Sequence, residues 1–158
     1  MQTLSKKGGS ISFCPTSNLF LGSGLFNIGN ANKHHTKVAL GTDFAAGTSL
    51  SVLQTMNEAY KVNQLRKAFS DDPSKIKPLD PFQLLYLATL GGARALSLDD
   101  KIGSFLPGRE ADFIVLNPES TPLLSARVKG AKDLKEKLFA FEVLGDDRAV
   151  QHTFIMGK

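Results

Sequence analysis

Few side chains in this sequence could do chemistry, and the most informative is a carboxylate. In KVALGTDFAAGTS, residues 37–49, the apolar run Val38-Ala39-Leu40 passes through Gly41-Thr42 and stops at Asp43. Such a run reads as a buried strand, and in parallel α/β folds functional groups collect where strands end. A carboxylate placed there can hold a metal ion or take a proton from water. It can equally sit in a strand-to-helix turn, because Asp is a favoured N-cap. The helical pattern begins only near Thr48 or Ser49, so capping does not obviously occupy Asp43.

The other reactive groups are sparse. The histidines are His34, His35 and His152, and the one cysteine is Cys14. Adjacent residues point apart on a helix or strand, so His34-His35 reads as a polar surface turn rather than a ligand pair. His152 alternates within a closing strand and reads as exposed. Cys14 reads as a small apolar residue at a strand end, with no partner base to activate its thiol. A single cysteine excludes an internal disulfide framework and fits a reducing compartment.

The elements that would position Asp43 follow from pattern. The composition, 42% hydrophobic and 22% charged, is that of a globular protein. The net charge of +4 is mild, and the basic stretch Lys132 to Lys137 is interleaved with Asp133 and Glu136. These are solvated faces, which argues against a nucleic-acid partner. No apolar run approaches a membrane span and no signal-peptide core is present, so a cytoplasmic protein with no membrane partner is expected. Residues 1–8 look like a helix tail ended by Gly8-Gly9. A strand over Ile11–Cys14 is stopped by Pro15, a loop and weak helix occupy 19–35, and a second strand covers 37–42. A helix over 49–69 follows, with Leu53, Met56 and Tyr60 near one face. Asp80, Pro81 and Gln83 make a strong helix start, and Gly91-Gly92 mark close packing or a break within that helix. After residue 100, IGSFLPGREADFIVLNP reads as strand, Pro-Gly turn, strand. AKDLKEKLFAFEVL then reads as a helix and AVQHTFIM as a closing strand. The fold class is α/β, divided near residue 100 into 1–100 and 101–158. Two parallel-type strands cannot close a barrel, which takes about 250 residues, and they leave unpaired edges. The chain reads as the end of something larger.

CPTSN (Cys14–Asn18), GTD ending at Asp43, ATLGGARAL (Ala88–Leu96) and IGSFLPGREADFIVL occur in an order that resembles the amidohydrolase superfamily. LGDDRAVQHTFIMGK, CPTSNLFLGSG and GTDFAAGTS look most like its guanine-deaminating members. The resemblance implies that residues 1–100 end a metal-dependent (β/α)8 barrel, with ISFCPTSN as strand seven and KVALGTD as strand eight. Residues 101–158 would be part of a small β-sandwich. It implies that Asp43 is both a catalytic residue and a ligand of a metal, usually Zn2+, whose bound water is acidified. Asp43 would accept and relay protons as guanine loses ammonia to give xanthine. Ser17 and Asn18 either line the substrate side of the barrel mouth or cap a loop. The complete enzyme would be a homodimer. The family's remaining ligands are histidines, a His-x-His pair after the first strand and one each after strands five and six; these and an upstream acid/base glutamate lie outside this sequence. The zinc deaminases with a His-x-Glu and a Pro-Cys-x-x-Cys signature do not match.

Three functions stay open at this level. The chain could be the C-terminal portion of a guanine-deaminating enzyme, inactive by itself. It could be a non-catalytic truncated product or interaction module. Or it could belong to another aminopurine or triazine hydrolase of the superfamily.

Overall fold

A computed structural model describes residues 1–158. It is α/β, with two separate two-stranded sheets among eight helices. The N-terminal helix α1 (Gln2–Lys6) ends where the glycines require it. Gly9 N–H donates to Leu4 C=O and Gly8 N–H to Ser5 C=O, both at 2.9 Å, and Gly8 takes the left-handed φ of 72°. This two-bond closure satisfies the last carbonyls of the helix.

Strands β1 (Ser10–Phe13) and β2 (Lys37–Leu40) pair in parallel, from Ser10 opposite Lys37 to Phe13 opposite Leu40. Gly41 N–H extends the ladder to Phe13 C=O at 2.9 Å. Parallel pairing brings the C-terminal ends of the two strands to the same edge, and Asp43 lies just past one of them. The other edge receives α3 (Ile28–Lys33), capped by Asn27, whose Oδ1 accepts from Asn30 N–H at 2.9 Å. Directly after β1 comes α2 (Pro15–Phe20), a helix where the sequence suggested only a strand stop. Proline explains both, since its fixed φ removes a ladder donor and suits the first helical position.

Helix α4 (Val52–Ala68) is capped by Ser51, which accepts from Gln54 N–H at 3.3 Å, and buries Leu53, Met56, Ala59 and Val62. Helix α5 (Pro81–Ala88) starts as expected: Asp80 Oδ1 accepts from Phe82 N–H at 2.9 Å, and Gln83 Oε1 accepts from Asp80 N–H at 3.0 Å. The expected continuous helix breaks at Thr89 (φ −125°, ψ −99°), ahead of the glycine pair, and resumes as α6 (Leu90–Ala95). Thr89 Oγ1 donates back to Leu85 C=O at 2.7 Å, the local competition by which threonine disturbs a helix. Gly91 serves close packing, because a Cβ there would lie 2.8 Å from Tyr86 O.

The last third contributes β3 (Phe113–Leu116), α7 (Pro122–Lys129), α8 (Leu134–Leu144) and β4 (Val150–Phe154). β3 and β4 pair antiparallel, with Phe113 opposite Phe154 and their rings stacked at 4.5 Å. The strand expected just before the Pro-Gly turn does not form. Residues 102–106 are turns and irregular chain, and Phe105 is 83% exposed. Strand propensity reflects fit to a neighbouring strand, and this segment has none beside it. The main apolar cluster joins Phe13 and Val38 of the parallel pair to Leu53 and Val62, Leu84 and Leu87, and Leu124 and Ala140. No helix is long and apolar enough to cross a membrane.

Candidate functional site

The turn after β2 is built from its neighbours. Thr16, buried in α2, donates its hydroxyl to Thr42 C=O at 3.2 Å and so ties the ends of β1 and β2 together. Gly47 N–H donates to Asp43 C=O at 2.6 Å, closing a five-residue loop. A Cβ on Gly47 would press on Thr42 O and lie 2.8 Å from Thr16 Oγ1, so a larger residue would force the turn to shift. Asp43 takes a left-handed φ of 47°, which Asp tolerates better than most residues, and Ala45 follows at 96°. The backbone is therefore held in an uncommon shape by fixed contacts on both sides.

This geometry presents the Asp43 carboxylate to solvent at the C-terminal edge of the parallel pair. No N–H, O–H or cation of the chain bonds to it. Ser51 caps α4, so Asp43 does not perform that task. What remains is an unengaged carboxylate, free to ligate a cation or exchange a proton. Near it, Cys14 is the N-cap residue of α2, and its thiol lies 3.3 Å from Ser12 Oγ. Ser17 and Asn18 are the third and fourth residues of α2, Ser17 buried and Asn18 half-buried.

The histidines lie elsewhere. His34 ends α3 and His35 follows it with φ 51°, a polar turn leading into the start of β2, the end remote from Asp43. His152 is exposed on β4. No group of three or more His, Cys, Asp or Glu side chains converges anywhere. Catalytic zinc takes three protein ligands as a rule, so these residues provide one ligand and do not by themselves fit the ion.

One titratable residue went unnoticed in the sequence. Glu142 on α8 is 1% exposed, and neither carboxylate oxygen has a hydrogen-bond partner. Burial pushes its pKa from 4.5 to about 8, and the nearby negative charge of Asp80 adds to the rise. The signal was available: Glu142 is the sole polar residue in the run Leu138–Leu144.

The sequence matches the amidohydrolase family over residues 1–158. The chain is 50% identical over 155 residues to guanine deaminase of Escherichia coli (strain K12), a match covering 98% of this chain and 33% of that protein. The solved structure of the E. coli enzyme superposes with a TM-score of 0.92 over 99% of this chain and 35% of its own. Guanine deaminase from C. acetobutylicum, solved with guanine bound in the active site, is 28% identical with a TM-score of 0.83, covering 98% of this chain and 34% of that one. An adenosine deaminase from Xanthomonas campestris, solved with bound zinc, is 29% identical with a TM-score of 0.76, covering 98% and 32% respectively. The chain thus spans about a third of the length of the relatives it matches.

Proposed function

The chain belongs to the amidohydrolase family, and from that premise we propose that it forms the C-terminal part of a zinc-dependent guanine deaminase. In this reading β1 and β2 are the last two strands of an eight-stranded barrel, and the β3–β4 hairpin is part of a small β-sandwich. The observation that carries the reading is the unengaged Asp43 carboxylate, held by a shaped turn where parallel strands end. Functional groups of barrel enzymes gather at that edge.

When bound, the zinc would supply Lewis-acid activation of water near neutral pH. Asp43 would be one of its ligands, with the others coming from the part of the enzyme outside these residues. The Asp43 carboxylate takes the proton released from water and passes it toward the departing amino nitrogen, as guanine becomes xanthine and ammonia. Ser17 and Asn18 of α2 line the substrate side of the barrel mouth. The complete enzyme works in the cytoplasm as a homodimer.

A hybrid enzyme tests this proposal. Residues 1–158 replace the matching third of the E. coli relative, and guanine, adenine, isoguanine and a triazine are assayed in parallel. Zinc-dependent release of ammonia from guanine in preference to the others is expected. A soluble hybrid with full zinc that ignores guanine, or that prefers a triazine, would overturn the assignment.

A further inference from the structure

At the end of β2 remote from Asp43, the end of α3, the first residues of β2 and the α5–α6 pair border an open depression of about 130 Å3, in which Asn32, Lys37, Tyr86 and Arg94 are solvent-exposed. Its polar lining consists of Asn32, Thr36, Lys37, Tyr86 and Arg94, with no carboxylate among them. Each of these side chains can donate a hydrogen bond. Arg94 Nη1 donates to Tyr86 Oη at 3.0 Å, with the guanidinium 5.8 Å from the Tyr86 ring centroid, so the phenolic proton remains free to donate. Asp99 Oδ2 lies 3.6 Å from Arg94 Nε, a loose contact that offsets part of one positive charge and leaves that of Lys37. Thr36 is 5% exposed, and its buried hydroxyl has no partner within the chain. A buried hydroxyl without a partner is costly, so such a group calls for a water or a ligand.

We propose that this depression binds a small oxyanion of the inorganic phosphate class, held by Arg94 and Lys37 and hydrogen-bonded by Thr36 and Tyr86. Two cations, three neutral donors and no acid form a lining that complements an anion rich in acceptors. One water needs only about 10–15 Å3 of such space, so the depression has ample room for a small oxyanion. The site lies at the opposite end of β2 from Asp43, so it is separate from the proposed reaction. It links the foot of β2 to α5 and α6, which otherwise meet the strand through apolar contacts such as Val38 and Leu87.

Equilibrium dialysis of the 158-residue chain against inorganic phosphate, at constant ionic strength set by chloride, tests the site. Saturable uptake of one phosphate per chain is expected. Arg94→Gln should weaken it about tenfold or more, the usual worth of a lost charge-assisted hydrogen bond. Thr36→Val, which removes a hydroxyl that has no partner in the free chain, should weaken phosphate binding without lowering thermal stability in chloride alone. Arg148→Gln, which alters an exposed arginine paired with Asp146, should leave uptake unchanged. Uptake that fails to saturate, or unchanged affinity in both Arg94→Gln and Thr36→Val, would overturn the proposal.

Discussion

Two carboxylates with opposite surroundings dominate at the residue scale. Asp43 is exposed and unengaged, whereas Glu142 is buried and unpartnered. Glu142 holds its proton in the folded state up to about pH 8, although the same group ionises near 4.5 when unfolded. Between those values the native state binds more protons than the unfolded one, so stability falls as pH rises. The slope is about 1.4 kcal/mol per pH unit for one such group. Glu142→Gln keeps the shape and cannot ionise. Unfolding followed from pH 5 to 9 should show the wild-type chain losing stability across this window and the Gln variant losing less. Parallel curves for the two would contradict the assignment. Asp80→Asn should lower the Glu142 pKa, because the Asp80 charge is part of what raises it.

At the scale of elements, the Asp43 turn and the α5 start are the two places where local geometry controls the outcome. Gly47→Ala would push a Cβ against Thr42 O, so the turn must shift and carry Asp43 with it. A hybrid bearing Gly47→Ala should lose turnover with Asp43 intact, at a thermal stability reduced by no more than a few degrees. Unchanged kcat would mean that the turn does not position the carboxylate. Asp80→Ala removes the α5 cap and should cost about 0.5–2 kcal/mol of stability, read from denaturant midpoints. The partly exposed ion pair of Asp80 with Lys135 of α8 adds little to that. The sequence disclosed the Asp80 cap and the Asp43 strand end because both signals are local and chemically specific. It concealed the α5–α6 break, since the eye goes to Gly91-Gly92 while Thr89 makes the competing bond. It concealed α2 because Pro15 both ends a strand and starts a helix. It suggested a strand near Phe105 because β-propensity says nothing about whether a partner strand is present. Glu142 was hidden for a related reason: burial is set by α4 and α5, which are distant in sequence.

Taken whole, the molecule exposes more surface than its mass warrants. Its accessible area is 9749 Å2, whereas a compact monomer of 17.1 kDa exposes roughly 7,800 Å2. The excess, roughly 2,000 Å2, is comparable to a substantial protein–protein interface. It includes Phe20, Leu21, Phe44, Leu50 and Phe69, and the parallel pair has no third strand on either side. Exposed apolar groups and unpaired strand edges promote association. Sedimentation of the 158-residue chain should therefore show concentration-dependent self-association. With one available ligand it should also retain less than stoichiometric zinc after dialysis and give no xanthine from guanine. A monodisperse monomer that keeps one tightly held zinc would contradict this picture.

The central claim is that this chain contributes the proton-transferring carboxylate of a guanine deaminase, and Asp43→Asn in the hybrid enzyme tests it most directly. Asn preserves size and offers an oxygen but cannot accept a proton at neutral pH. It also caps turns about as well as Asp, so stability should hardly move. Guanine turnover is compared in the two hybrids at matched zinc occupancy. A fall in kcat of about 10²–10⁴-fold or more is expected, the range typical for loss of a general acid–base group. Near-normal turnover by a folded, zinc-loaded Asn variant would contradict the claim.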